Sequence, residues 1–167
     1  MTDITDADYD RHWDLLWNTQ LGVRYHMHLQ NYYTRIGKFI TAFTLLMSSA
    51  AFAVVYQSNS ELSKWLMCIA AMLQVAELVI DTKSNATLHA SLRQRYLQLE
   101  LALAGKMYVL EEDEKSFKQT RTQIEIDEPP VIKSLMDRCH NELCIVHGIE
   151  NHHQQTWYEN VAAWWRS

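Results

Sequence analysis

Helix breakers are scarce in this chain of 167 residues, which has four glycines and two prolines. So few positions for tight turns exclude a fold of many short strands, and long uninterrupted helices are expected. Cysteine is limited to Cys68, Cys139 and Cys144. An odd set builds no disulfide framework, and reduced thiols in a reducing compartment are the plain reading. Basic residues are fewer than acidic ones, and the formal net charge is -5. A nucleic-acid binder needs a basic face to neutralise phosphates, so this balance argues against that class. The opening MTDITDADYD is acidic and lacks the basic and apolar regions of a secretory leader, so membrane insertion is expected to use internal segments.

Two apolar stretches stand out against this background. Phe39–Tyr56 (FITAFTLLMSSAAFAVVY) carries no charge, and Trp65–Ile80 (WLMCIAAMLQVAELVI) carries Gln74 and one carboxylate, Glu77. A hydrocarbon core about 30 Å thick needs roughly 20 helical residues. The first stretch meets that length, and the second does so once its flanks are counted. Gln57-Ser58-Asn59-Ser60 is the turn between them. The expected fold class is therefore all-α, a two-span transmembrane hairpin whose long helices extend into a cytosolic helical bundle. Residues 1–38 form an N-terminal amphipathic helix, 39–80 the hairpin, and 81–167 the cytosolic region.

Outside the hairpin the pattern is helical. Thr5 and Asp8 have the spacing of a capping box. Trp13, Leu16, Trp17, Leu21, Val23, Tyr25, Leu29, Tyr32, Tyr33 and Ile36 then recur near 3.6 residues per turn. Beyond Ile80, Leu88, Leu92, Tyr96, Leu99 and Leu103 fall on one face, so the second apolar helix is expected to run on into the cytosol. The charged run from Glu111 to Lys115 reads as a loop or helix end, within a charged loop near 111–128. Pro129-Pro130 opens a further helix to about Val146 with Gly148 as its C-cap. A last short helix is expected over 152–165.

Arg24, Arg35 and Lys38 precede the hairpin, Lys83, Arg93 and Arg95 follow it, and the connecting loop offers only Glu61 and Lys64. The positive-inside rule then puts both termini in the cytoplasm. Trp65 would anchor one interface, and Trp157, Trp164 and Trp165 form an aromatic set suited to headgroups or to packing on the bundle. The competing reading is a soluble helical hairpin buried in a bundle core.

Gln74, Glu77 and Asp81 share one helical face by spacing. Ionisable groups at membrane depth usually face a bundle interior or a water-filled path, so this face is a candidate pore lining or inter-subunit contact. Snorkelling of Glu77, or pairing with Lys38 or Lys83, is the alternative. Thr41, Thr44 and Ser48 form a small polar face on the first stretch, suited to close helix packing. Two helices enclose no channel, so any pore needs a homo-oligomer. His140, Cys144 and His147 are weak metal candidates, because their spacing matches no common zinc module. No cofactor motif and no nucleophile–base pairing is recognisable, and an enzyme is not expected.

At Trp17-Asn18-Thr19-Gln20-Leu21-Gly22-Val23-Arg24-Tyr25-His26 the chain resembles the SLATT-type proteins, small bacterial proteins with two transmembrane helices and a helical cytosolic part. Glu77-Leu78-Val79 at the end of the second helix is similar to that family's acidic position, and Arg93, Arg95 and Tyr96 to its basic amphipathic helix. Glu128-Pro129-Pro130 through Cys139-His140-Asn141-Glu142 is similar to a segment of prophage-associated relatives. The resemblance implies a membrane effector of the bacterial inner membrane. Such a protein would contact lipid, assemble with itself and answer an upstream sensor protein or a small-molecule trigger in anti-phage or prophage conflict. It assigns Trp17, Gln20, Arg24 and Tyr25 to a juxtamembrane motif. The rival function is a non-enzymatic soluble helical-bundle assembly or adaptor protein of prophage origin.

Overall fold

A computed structural model describes residues 5–49, 53, 57 and 60–150. All regular structure among them is helical: α1 (Asp6–Met47), α2 (Ser60–Ile80), α3 (Thr82–Ala104), α4 (Glu111–Glu125) and α5 (Lys133–His147). The chain divides into two compact units. Unit 1 combines Met1–Leu29 with Leu88–Ser167, and unit 2 is Gln30–Thr87.

In unit 1, Asp8 opens α1. Its carboxylate accepts the Thr5 amide at 2.7 Å and the Thr5 hydroxyl at 2.9 Å, while its own amide donates to the Thr5 carbonyl. The core then follows a heptad-like rhythm. Leu15, Thr19, His26 and Leu29 of α1 are buried, as are His89, Leu92, Tyr96, Leu99 and Leu103 of α3. Alternating three- and four-residue steps give two helices one shared seam. The seam is more polar than the sequence stripe implied. Thr19 is fully buried because its hydroxyl donates to the Leu15 carbonyl at 2.7 Å. His89, rather than Leu88, takes the seam position on α3.

The charged run at Glu111 is no loop. It is the first turn of α4, carrying Glu111, Glu112, Asp113 and Glu114. Carboxylates there face the positive end of the helix macrodipole, which favours them in the first turn. Ile124 and Phe117 secure α4 to the core cluster around Leu103 and Val109. The helix after Pro129-Pro130 begins later than expected, at Lys133, because the chain stays extended through Ile132. It ends on Gly148 at φ 68°, a left-handed C-cap. Leu135, Cys139, Leu143 and Cys144 form its buried side.

Unit 2 contains the far part of α1 and all of α2. One stretch, Glu61–Ala104, is long and apolar enough to cross a membrane, and 11% of its apolar window is buried. Two spans were expected, but among the described residues there is one. α1 ends at Met47, and much of the rest of the first apolar stretch lies outside the described residues. Within Glu61–Ala104, Asp81 interrupts the helix with φ 47°, a conformation its short polar side chain tolerates. The Asp81 carboxylate accepts the Ser84 amide at 3.1 Å and so caps α3. Asn85 donates to the Ile80 carbonyl at 2.6 Å, satisfying the end of α2.

Candidate functional site

The densest polar chemistry lies inside unit 1. His26 Nδ1 is 3.0 Å from His89 Nδ1, and both residues are sealed from solvent. His26 Nε2 lies 3.2 Å from Glu128 Oε1, which also accepts the Tyr96 hydroxyl at 2.6 Å. The proton count of this chain is constrained. With both imidazoles neutral, His89 donates through Nδ1 to His26, and His26 donates through Nε2 to Glu128. One extra proton can be held if His26 becomes the donor in both bonds. A second would set two N–H groups against each other across 3.0 Å, so the pair holds at most one.

Burial, and then the His26 charge, push His89 down to about 4. Burial alone would raise Glu128, but hydrogen bonds from His26 and Tyr96 outweigh it and hold the carboxyl below its usual range. Burial and the bond to Glu128 push the Tyr96 hydroxyl upward.

Beside this network is an open cleft of about 410 Å³. Its walls come from α1 (Asn18, Leu21, Gly22, Tyr25), from Tyr96, and from Pro129 to Val131. Arg121, Glu125 and Glu128 are the charged groups lining it. The aromatic walls are fixed. Tyr25 Oη accepts the Ile132 amide at 2.9 Å. The Tyr96 ring lies so close to Gly22 that a Cβ there would stand 2.7 Å from it. Arg121 Nε donates to Glu125 at 2.8 Å.

The remaining motif residues of α1 pack onto α5 or its surroundings. Gln20 donates to Glu100 at 2.9 Å, and its Oε1 lies 2.9 Å from His147 Nε2. Trp17 meets His140 edge to face at 5.3 Å. Arg24 is 3.8 Å from Glu142, which also lies 2.9 Å from His28 Nε2 and accepts Arg138 at 3.1 Å. Burial opposes the charge on Glu142, yet the His28 and Arg138 bonds keep its carboxyl low. The weak metal candidates are not gathered into a site. Cys144 Sγ is 3.6 Å from His140 Nδ1, but His147 is engaged with Gln20. Among the described residues no group of three or more His, Cys, Asp or Glu could hold a metal ion.

In unit 2, Gln74 donates to Thr44 Oγ1 at 2.5 Å, joining α2 to α1. Glu77 Oε1 accepts the Thr82 hydroxyl at 2.6 Å, and its Oε2 is buried without a partner among the described residues. Asp81 does not join them on one face, because the helix breaks at Asp81 and its carboxylate turns to α3. Thr41 and Thr44 on α1, and Ser48 just past its end, donate their hydroxyls to the carbonyls of Gly37, Ile40 and Leu45. Trp65 is 70% exposed. Trp157, Trp164 and Trp165, and the short helix expected there, lie outside the described residues.

Sequence reasoning missed the His26–His89–Glu128–Tyr96 network. The signal was present as polar residues at core spacing, His26 on α1 and His89 on α3, where the heptad rhythm leaves a gap among apolar positions. Comparison with protein-family models, with curated proteins and with solved structures yields no match.

Proposed function

We propose that this chain is a membrane effector whose unit 2 inserts into the bacterial inner membrane as a two-span hairpin, both termini remaining cytoplasmic. It assembles with itself and perturbs the bilayer when a signal acts on unit 1. The observation that carries this reading is the surface of α2. Leu78 is 83% exposed, Val79 79% and Met72 67% within an apolar helix. A core helix of a soluble bundle would hide such residues, whereas lipid covers them without cost. The polar groups of the hairpin support the same reading, because Gln74 donates to Thr44 and one carboxylate oxygen of Glu77 accepts Thr82. The orphan Oε2 of Glu77 suits a contact with a second subunit or a water path formed on assembly. The resemblance to SLATT-type proteins supplies the setting of prophage or anti-phage conflict.

The test is leakage of dye or ions from liposomes holding the purified chain, beside Glu77→Leu. Leakage that the variant alters is the expected result. A chain that stays in the supernatant without detergent overturns the reading in favour of a soluble adaptor.

A further inference from the structure

We propose that the cleft over Glu128 binds a small organic cation, an ammonium or guanidinium group carried on an apolar body. This goes beyond the membrane reading and does not rest on it, because every residue involved belongs to unit 1.

Charge selects the sign of the ligand. Three charged side chains line the cleft, and two of them, Arg121 and Glu125, are already bonded to each other. The third, Glu128, is hydrogen-bonded to His26 and Tyr96. With the imidazoles neutral, both of those partners donate without cancelling the carboxylate, so the cleft carries one uncompensated negative charge. An anionic ligand would meet that charge while the one cation present is engaged by Glu125. The walls select the rest of the ligand. Leu21, Pro129, Val131 and Met136 offer apolar surface for the body of the ligand. Tyr25 and Tyr96 are held in place by the Ile132 amide and by Glu128, so little ordering is left for binding to impose.

The same geometry couples the ligand to protons. Glu128 is faced by His26 from α1, by His89 and Tyr96 from α3, and by Arg121 and Glu125 from α4, while α5 contributes the uncharged Met136. The one proton that the His26–His89 pair can hold neutralises the carboxylate a cation needs. Proton and cation therefore compete.

Full-length protein in an uncharged detergent is titrated with phenethylammonium and with phenylacetate, two probes of matched shape and opposite charge. Saturable binding of the ammonium is expected, with phenylacetate weaker by about tenfold or more. Glu128→Gln is expected to lose the preference for the cation. Because that variant also disturbs a buried network, Val131→Trp provides the second arm. Val131 is half exposed, so an indole there fills the cleft without entering the core. Equal binding of both probes, no saturable binding of the ammonium, or binding that survives Val131→Trp in a folded chain overturns the proposal.

Discussion

His26 and His89 meet nitrogen to nitrogen at 3.0 Å, one on each helix of the unit 1 seam. A leucine pair at that position would tie the helices by dispersion alone. The imidazole pair ties them through a bond that requires one nitrogen to lack its proton. The packing of unit 1 is thereby linked to pH.

The first prediction is an acid limb in stability. His89 is lowered from an ordinary value of 6.5 to about 4 by burial and by His26. A depressed pKa means that the unfolded chain binds the proton more readily between those values. The contribution is complete above about pH 6.5 and is lost as the pH falls towards 4, amounting to about 1–3 kcal/mol. Chemical denaturation followed at a series of pH values measures it. His89→Gln, which keeps a donor for His26 and cannot titrate, is expected to flatten the limb. Glu128 and Glu142, also held low, add their losses only at more acidic pH.

Gly22 provides the second. Helix propensity alone says that Gly22→Ala should stabilise by about 1 kcal/mol. The added methyl would stand 2.7 Å from a Tyr96 ring that is buried and held by Glu128. Overpacking of that kind costs about 1–3 kcal/mol, so a net loss of stability is expected. Gly105→Ala, where nothing lies nearer than 3.8 Å, is expected to be neutral or mildly stabilising. Thermal melts of the two variants decide the sign.

Cysteine labelling separates the units. Cys68 is exposed on α2, whereas Cys139 and Cys144 are buried. Burial, followed by the Glu142 charge, pushes the Cys139 thiol up to about 12, so it stays protonated and unreactive. In proteoliposomes an uncharged maleimide is expected to label Cys68 faster than a charged one, and the other two only after denaturation. Equal rates for the two reagents at Cys68 would place α2 in water.

Two leucines test where the core ends. Leu135 is completely buried and Leu101 is 76% exposed. Leu135→Ala is expected to cost about 2–5 kcal/mol, and Leu101→Ala to stay within about 0.5 kcal/mol. A Leu101 loss as large as that of Leu135 in a concentration-dependent melt would show this face covered in an assembly.

Much of the fold was legible because helices follow local rules. Few breakers, an apolar stripe on α3 and a glycine after α5 are each decided within a few residues, and they fixed helix positions well. The acidic run at Glu111 left a loop and a helix end both open, because charge alone does not distinguish a loop from the first turn of a helix. What settles it is Ile124 and Phe117 reaching the core, a contact distant in sequence. Asp81 shows the same limit. Spacing put it on the face of Gln74 and Glu77, yet a single residue at φ 47° re-aims every side chain beyond it.

By itself, then, the sequence determined that the chain is helical and that its apolar residues gather in two stretches, Phe39–Tyr56 and Trp65–Ile80, since composition and periodicity act along the chain. Only the tertiary structure decided that Trp17, Gln20 and Arg24 face α5 or its neighbours, and that His26, His89, Tyr96 and Glu128 converge. Those residues are separated by 32 to 102 positions where they meet, and nothing local encodes such meetings. They come together because a buried polar group must find a partner or bear the cost of desolvation, and the partners stand on other helices.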